Sequence, residues 1–222
     1  MGFSADVWGR VGRLVDAIVD HPFNHSLIDA TLDPEVFAFY LIQDARYLAG
    51  FARALAAASV AAPDAEAAAF WAGSAHQAIV VEAELHAGYL GTRDVATVAT
   101  SPSALAYASW LQATALSGPY QVLVAALLPC FWIYEHVGRV TLAGTAGRPE
   151  HPYRRWIDTY GGEDFAASVG RARRLVDAAA DGADEASRAA MAAAFVRATE
   201  YEWMFWDSAW HREGWPTARW LN

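Results

Sequence analysis

A single cysteine within a long apolar helical pattern is the residue of this chain best suited to nucleophilic chemistry. Cys130 follows Pro129 directly, and Tyr134 comes one helical turn later. Positions i and i+4 share a helix face, so the thiol and the phenol can touch. The proline removes a helix hydrogen bond at a cost of roughly 3 kcal/mol. The alternative is a structural cysteine, because free cysteines commonly pack as small hydrophobes. The pattern alone therefore indicates a candidate site and leaves both interpretations open.

Two acidic residues interrupt otherwise apolar helical patterns. Asp44 is followed at i+3 by Tyr47, which places both on one face of a helix. Glu202 stands among tyrosine, tryptophan and phenylalanine near the end of the chain. A solvated or arginine-paired aspartate is the alternative for Asp44. Spacing alone does not bring the two carboxyl groups to the cysteine, since they are far apart in the chain.

Histidines and glutamates that are close together in the sequence are the candidate metal ligands of this chain. His21 and His25 are four residues apart, but no carboxylate completes a recognisable metal motif, and a capping or core role is favoured. Glu84 and His86 are two residues apart and so lie on different helix faces, unlike the Glu-x-x-His pairs of di-iron bundles. The spacing therefore argues against a carboxylate-bridged metal pair that includes Glu82, Glu84 and His86.

Helical periodicity runs through the whole sequence, with no sustained strand alternation. We expect an all-α, single-domain helical bundle over residues 1–222. Ser4, Asp33 and Ser101 are predicted helix caps. The expected helices cover Ser4 to Val19, Pro22 to near Leu32, Asp33 to Ala61, Pro63 to Leu90, Ser103 to Leu116, Tyr120 to Leu142, Tyr153 to Tyr160, Asp164 to Ala180 and Asp184 to Arg212.

Composition limits the classes of function. The formal net charge of -9 and the absence of a basic cluster argue against nucleic-acid binding. Lysine is absent, which excludes Schiff-base chemistry on a lysine of this chain. One cysteine excludes an internal disulfide framework. The longest apolar run, Val122 to Tyr134, is shorter than the roughly 20 residues needed to span a bilayer, and no signal peptide is recognisable. We expect no membrane partner and a cytoplasmic protein.

Taken in order, several stretches together resemble the TenA family, the thiaminase II enzymes of the haem-oxygenase-like helical fold. The resemblance extends from about Phe3 to Trp215 and is specific through the order and spacing of its pieces. These pieces are Tyr40-Leu41-Ile42-Gln43-Asp44 with Tyr47, Phe51-Ala52-Arg53, Ser101-Pro102-Ser103-Ala104 with Tyr107, Leu128-Pro129-Cys130 with Trp132 and Tyr134, Trp156 with Thr159-Tyr160-Gly161-Gly162, and Tyr201-Glu202 with Phe205-Trp206.

The resemblance implies a role for each matching position. Cys130 matches the nucleophile, Glu202 the acid/base, and Asp44 the carboxylate that holds the amino edge of a substrate pyrimidine. Four tyrosines match residues that line or orient the pocket: Tyr47, Tyr107, Tyr134 and Tyr160. The chain departs from the frequent family pattern at Leu105, Phe131 and Trp203, and the sequence leaves open what these residues do to the pocket wall.

The implied reaction is hydrolysis at the methylene group of a 4-amino-2-methylpyrimidine, with ammonia or the thiazole of thiamin as the leaving group. The resemblance implies no metal or organic cofactor and a homotetrameric assembly. Trp210, Trp215 and Trp220 are compatible with a partner surface or with local packing. Two alternatives remain: a pyrimidine-binding or regulatory helical protein, and a PqqC-like or di-iron oxidase on the same fold.

Overall fold

The part of the chain that the structure describes contains nine α-helices. The computed structural model describes residues 2–90 and 98–221, without the side chains of 81–87, and the described residues contain helices and turns but no strand. The predicted all-α class is therefore confirmed. The helices are α1 (Phe3–Val19), α2 (Pro22–Ile28), α3 (Pro34–Ala61), α4 (Ala65–Leu90), α5 (Pro102–Ser117), α6 (Tyr120–Gly144), α7 (Arg154–Gly161), α8 (Glu163–Asp181) and α9 (Glu185–Trp210), and a short 3₁₀ turn, Ala218–Trp220, follows.

Polar side chains cap the N-termini of α3, which carries Asp44, and α5, which carries Tyr107. The Asp33 side chain accepts a hydrogen bond from the backbone N–H of Glu35 at the start of α3. The Ser101 hydroxyl accepts one from the N–H of Ala104 at the start of α5. In both cases a proline follows the cap, where its missing N–H costs nothing. These two predicted caps are confirmed.

Two predicted boundaries were wrong. Ser4 is not a cap, because α1 begins one residue earlier and the Ser4 N–H and hydroxyl instead donate to Asp177 of α8, at 2.7 Å and 2.9 Å. The second helix ends at Ile28 rather than near Leu32. Ala30 adopts a left-handed φ of 59°, which ends the helix. The connection expected between α4 and α5 falls largely within 91–97, outside the described residues.

Helix α6 is the central helix of the fold. It packs against α3, α5, α7, α8 and α9, and one continuous cluster of buried side chains draws on all nine α-helices. The complete helix is longer than the apolar run in the sequence suggested, so by length and composition it could cross a membrane. However, 83% of its most apolar window is buried within the protein. This burial is typical of a core helix, which is the position that α6 occupies in the fold.

A close approach of α6 and α7 depends on two glycines. A Cβ atom at Gly138 would lie 2.5 Å from the carbonyl carbon and oxygen of Tyr160, and one at Gly161 would lie 2.7 Å from the carbonyl oxygen of Gly138. Neither contact is possible for a larger residue without moving a backbone. The two glycines thus let α7 lie directly on α6 and place Tyr160 beside the cysteine-bearing segment.

Candidate functional site

A cavity of about 610 Å³ lies between α3, α4, α6, α7 and α8. This volume is in the range of small-molecule sites. Four of the predicted site residues line it: Asp44 from α3, Cys130 and Tyr134 from α6, and Tyr160 from α7. The remaining three, Tyr47, Tyr107 and Glu202, are buried and do not line the cavity. Their ring contacts and electrostatic interactions link them to Cys130 and Asp44, which do line it.

Cys130 is a half-buried thiol on the cavity wall and is not part of a disulfide. Its helix continues through Pro129, which is buried and leaves the carbonyl of Ala125 without its usual helical donor. The neighbouring aromatic rings of Phe51 and Phe131, whose centroids are 5.8 Å apart, form an apolar part of the same wall. The thiol is thus accessible to a ligand while most of its surroundings exclude water.

Glu202 is a fully buried carboxyl group held by a tyrosine. The Tyr107 hydroxyl donates a hydrogen bond of 2.7 Å to its Oε1 atom. Burial raises the pKa of Glu202 to about 8, and the negative charge of Asp44 acts in the same direction, against the lowering effect of the Tyr107 hydrogen bond. Because this pKa lies above 7, the carboxyl group is mostly protonated at neutral pH. The raised pKa agrees with the aromatic surroundings noted in the sequence.

Tyr47 interacts electrostatically with both the cysteine and the buried carboxyl group. Its ring packs against the ring of Tyr107 with centroids 4.7 Å apart. The pKa of Tyr47 is raised well above its usual value, first by burial and then by negative charge on Cys130, Tyr107 and Glu202. A hydroxyl that responds to these charges lies near them. Tyr47 therefore belongs to the same cluster although it does not line the cavity.

Tyr134 links the cavity wall to the core. Its hydroxyl accepts a hydrogen bond of 3.1 Å from the Tyr40 hydroxyl, and its ring centroid is 5.2 Å from that of Tyr160. The pKa of Tyr134 is raised well above its usual value by burial and then by the charges of Tyr40, Asp44, Glu202 and Cys130. Tyr134 is thus close to the thiol and both carboxyl groups.

The three departures from the family pattern have different positions. Phe131 lines the cavity. Leu105 does not, because its side chain is 45% exposed on the outer face of α5. Trp203 is half-buried with its ring centroid 6.0 Å from that of His21, and it does not line the cavity either. Of the three departures, whose effect on the pocket the sequence left open, only Phe131 therefore forms part of the cavity wall.

The outer part of the cavity is polar and was missed from the sequence. Its lining includes Ser74 and Gln77 of α4, Asp158 and Thr159 of α7, and the start of α8 with Glu163 and Asp164. The described lining residues include no arginine or histidine. Nothing in their spacing distinguishes them from solvated helix faces. The only local signal is the acidic pair that opens α8, which also suits a helix N-terminus.

His21 has the capping role that its sequence context favoured. His21 is the N-cap of α2, where its Nδ1 atom accepts from the N–H of Phe23 at 3.2 Å. The favoured capping role is confirmed.

Within the side chains that the structure describes, no group of three or more His, Cys, Asp or Glu residues could hold a metal ion. The side chains of Glu82, Glu84 and His86 lie outside the described residues.

The described residues thus form an all-α bundle in which Cys130, Asp44 and two tyrosines line one cavity, and the buried carboxyl group of Glu202 interacts electrostatically with Asp44. A model of the TENA/THI-4/PQQC family matches residues 8–212. The chain therefore belongs to the TENA/THI-4/PQQC family.

Two curated relatives illustrate the range of sequence similarity. The chain is 40% identical over 215 residues to "Thiamine biosynthesis multifunctional protein ThiED" of Corynebacterium efficiens, covering 96% of this chain and 29% of that protein. It thus spans less than a third of the length of this relative. It is also 34% identical over 220 residues to "Aminopyrimidine aminohydrolase" of Bacillus subtilis, which covers 97% of this chain and 92% of that protein.

Solved structures share the fold over nearly the whole chain. The "TenA homologue protein from P.horikoshii OT3" superposes with a TM-score of 0.86 at 27% identity, covering 95% of this chain and 99% of that one. A Shewanella denitrificans domain described as having a heme oxygenase-like fold superposes with a TM-score of 0.70 at 13% identity, covering 94% and 92% of the two chains. The predicted haem-oxygenase-like fold is confirmed.

Proposed function

We propose that this chain is a hydrolase of thiamin salvage and degradation. It cleaves 4-amino-5-aminomethyl-2-methylpyrimidine, and thiamin, to 4-amino-5-hydroxymethyl-2-methylpyrimidine by nucleophilic catalysis at Cys130. One observation carries the proposal: the accessible thiol of Cys130 shares a cavity wall with Asp44, and the largely protonated Glu202 is electrostatically coupled to this wall. The similarity to an aminopyrimidine aminohydrolase of B. subtilis over nearly the full length of both chains supports the same activity.

Asp44 is the proposed recognition group for the pyrimidine. Its side chain is only 3% exposed, and it lines the cavity near Tyr134. A carboxylate accepts hydrogen bonds, so it binds the 4-amino group and rejects a ring that carries an oxo group at this position. The wrong ring would leave buried polar groups unpaired, which makes such discrimination steep. The tyrosines Tyr47, Tyr107, Tyr134 and Tyr160 line or orient this end of the site.

Cys130 supplies the covalent step. Its sulfur forms a bond to the ring carbon adjacent to the carbon that bears the methylene group, and a ring nitrogen takes a proton as this bond forms. Electron density at the neighbouring carbon then breaks the bond to the leaving group, which departs as ammonia after protonation or as the neutral thiazole. Water adds to the exocyclic carbon and releases one proton, which balances the proton that ammonia takes up or, with thiazole as the leaving group, goes to solvent. The electron pair of the ring then expels the sulfur as a thiolate, so the carbon–sulfur bond breaks and the aromatic ring returns. A thiolate suits both steps because it is a soft nucleophile and a good leaving group.

Glu202 is the proposed acid for the ring nitrogen. A pKa of about 8 keeps its proton available at neutral pH. Tyr107 donates to Oε1, which favours Oε2 as the oxygen that carries this proton. After the ring nitrogen has taken the proton, the Tyr107 hydrogen bond stabilises the carboxylate that remains. The proton returns to Glu202 when the thiolate leaves and the ring becomes aromatic again.

Two assays side by side test this proposal. Release of the hydroxymethyl pyrimidine is measured from the aminomethyl pyrimidine and from thiamin, with wild type and Cys130→Ser. Ligand binding is followed by calorimetry. We expect wild type to release product and Cys130→Ser to bind ligand without turnover. Unchanged turnover in Cys130→Ser would refute the mechanism, and binding without turnover in wild type would favour the pyrimidine-binding or regulatory alternative.

Metal analysis tests the oxidase alternative. A PqqC-like or di-iron oxidase of this fold would act through a different chemistry, and the di-iron form requires several carboxylates and histidines that converge on a metal pair. Stoichiometric iron in the purified protein, with turnover lost on chelation, would support that alternative. Turnover that survives exhaustive chelation supports the thiol mechanism.

We further propose a single TenA-like domain that forms a homotetramer in the cytoplasm. Exposed aromatic side chains near the end of the chain are compatible with a partner surface: Trp215 is 43% and Trp220 65% exposed, and Trp215 also donates to the carbonyl of Thr100 at 2.9 Å. Light scattering coupled to gel filtration measures the mass directly. A monomer at assay concentration would contradict the tetramer.

A further inference from the structure

Tyr40 is a buried tyrosine that the proposed mechanism does not use. Its side chain is fully buried, and its ring stacks on Trp206 with centroids 5.2 Å apart and planes 6° apart. Four further rings surround it, with centroid distances of 5.2 to 6.3 Å: Phe23, Phe37, Trp156 and Phe205. A ring packed in this way is fixed in position, since rotation would require several neighbours to move. The hydroxyl position is therefore fixed as well.

The Tyr40 hydroxyl points to the active-site helix. It donates to the Tyr134 hydroxyl at 3.1 Å, and this hydrogen bond is buried. Tyr134 in turn lines the cavity one helical turn after Cys130. Tyr40 also lies one turn before Asp44 on α3. Each of the two helices thus carries a tyrosine one turn from a proposed site residue. On α6, Tyr134 lies one turn from the proposed nucleophile Cys130. On α3, Tyr40 lies one turn from the proposed recognition group Asp44.

The direction of this hydrogen bond determines where the Tyr134 proton goes. A phenol has one proton to donate and accepts through its oxygen. Since Tyr134 accepts from Tyr40, its own proton is available for an acceptor on the cavity side, where Cys130 lies. Accepting one hydrogen bond also strengthens the bond that a hydroxyl donates. Tyr40 therefore both orients Tyr134 and makes it a better donor.

We propose that Tyr40 is a positioning residue that acts through Tyr134 to stabilise the thiolate of Cys130. This inference deepens the proposed function and rests on it for its catalytic meaning. Tyr40 does not touch the substrate or the thiol. It holds the Tyr134 hydroxyl so that its proton faces the sulfur when the thiol loses its own proton.

The test measures the reactivity of the thiol without any substrate. Cys130 is the only cysteine in the chain, so alkylation by iodoacetamide reports on one site. The alkylation rate is measured against pH for wild type, Tyr40→Phe, Tyr134→Phe and the double variant. The midpoint of this profile gives the pH at which the thiolate forms. Each substitution removes one oxygen and keeps the ring, which preserves packing.

We expect Tyr134→Phe to raise the midpoint by about one pH unit, as loss of a hydrogen bond to a charged group implies. Tyr40→Phe raises it by a smaller amount, and the double variant equals Tyr134→Phe, because Tyr40 acts only through Tyr134. An unchanged midpoint in Tyr40→Phe would overturn the proposal. A Tyr40→Phe shift of the same size in both backgrounds would also overturn it, since that result indicates a packing effect.

Tyr153→Phe is the matched control. Tyr153 is also buried, and its hydroxyl donates to the carbonyl of Leu32 at 3.0 Å, away from the cavity. This variant loses the same group and should keep the wild-type alkylation midpoint. If the protein hydrolyses no pyrimidine but its variants show the predicted alkylation midpoints, then the role of Tyr40 in stabilising the thiolate stands. In that case only the proposed function is refuted.

Discussion

The hydroxyl of Tyr107 donates a 2.7 Å hydrogen bond to Oε1 of Glu202, and both side chains are buried. This hydrogen bond lowers the pKa of Glu202, while burial and the charge of Asp44 raise it, and the balance lies at about 8. A buried carboxyl group with a pKa close to working pH is suited to both giving and receiving a proton. The Tyr107–Glu202 hydrogen bond therefore makes the proton affinity of this carboxyl group depend on how α5 packs against α9.

The first prediction concerns the alkaline side of the pH profile of kcat/KM. Because the proposed mechanism requires Glu202 in its protonated form, kcat/KM should fall about tenfold per pH unit above pH 8. Tyr107→Phe removes the hydrogen bond that stabilises the ionised form, so this limb should move to higher pH. Glu202→Gln should lose the limb and lower kcat/KM by roughly 10² to 10⁴-fold. An alkaline limb that moves to lower pH in Tyr107→Phe would contradict the assignment.

The second prediction concerns folding stability. The pKa of Glu202 is raised in the folded state from 4.5 to about 8, so the stabilisation that its protonated form gives is complete below pH 4.5 and is lost as pH rises through 8. Wild type should therefore lose stability relative to Glu202→Gln between about pH 5 and pH 9. The difference is on the order of 4 kcal/mol, at about 1.4 kcal/mol per pKa unit.

Urea denaturation at pH 5, 7 and 9 measures this change. Glu200→Gln is the control, because Glu200 lies on the same helix with a side chain that is 45% exposed. It should leave the pH dependence as in wild type. If the free energy of unfolding changed with pH in the same way for wild type and Glu202→Gln, the buried carboxyl group of Glu202 would not be protonated in the folded protein at neutral pH.

Most helices could be predicted from the sequence because their signals are local. Asp33 and Ser101 each act on an N–H two or three residues away, so the chain itself contains both partners. Ser4 shows the limit of this reasoning. The acceptor for its N–H is Asp177, which is 173 positions away and reaches α1 only after α8 has packed. No local pattern contains that information.

The site could be predicted only in part for the same reason. Cys130 and Tyr134 share a helix, so their proximity follows from spacing. Asp44 and Glu202 reach the same region through α3 and α9, and it was the family resemblance that brought them together. Tyr40 had no chemical signal, because a tyrosine in an apolar helix is commonly a core residue. Its role depends on one hydroxyl contact between two helices.

The third prediction concerns the glycine contact between α6 and α7. Gly138→Ala would place a Cβ atom 2.5 Å from the Tyr160 carbonyl group, so the backbone of α7 must move. We expect a loss of about 1 to 3 kcal/mol of stability, as overpacking commonly costs. Displacement of Tyr160 should also raise KM.

Gly12→Ala is the matched control for this substitution. No atom lies within 4 Å of a Cβ at Gly12, which is also inside a helix. Alanine there should stabilise the protein by about 0.5 to 1 kcal/mol. Thermal unfolding and steady-state kinetics of the two variants distinguish the contact from a general effect of alanine. Equal effects of both substitutions would show that the close approach of the helices does not matter.

The fourth prediction concerns the charge of the leaving group. Asp158, Glu163 and Asp164 line the outer part of the cavity, and the described lining has no arginine or histidine. An ion pair with Arg154 offsets the charge of Asp158. The negative charge of this rim therefore rests mainly on Glu163 and Asp164. A negative rim attracts cations and repels anions over distances comparable with the Debye length. Thiamin carries a positive thiazolium ring, whereas thiamin monophosphate adds a negative group at the far end of that ring. We expect kcat/KM for the monophosphate to be about tenfold lower at low salt.

Substitution of the rim tests whether charge causes this preference. The double variant Glu163→Gln/Asp164→Asn should narrow the gap between thiamin and its monophosphate, and added salt should narrow it in wild type. Asp181→Asn is the control, because Asp181 is exposed at the opposite end of the same helix, α8. It should leave the ratio unchanged. A ratio that does not respond to salt or to the double variant would show that shape rather than charge selects the leaving group, because an electrostatic preference at an exposed rim must be screened.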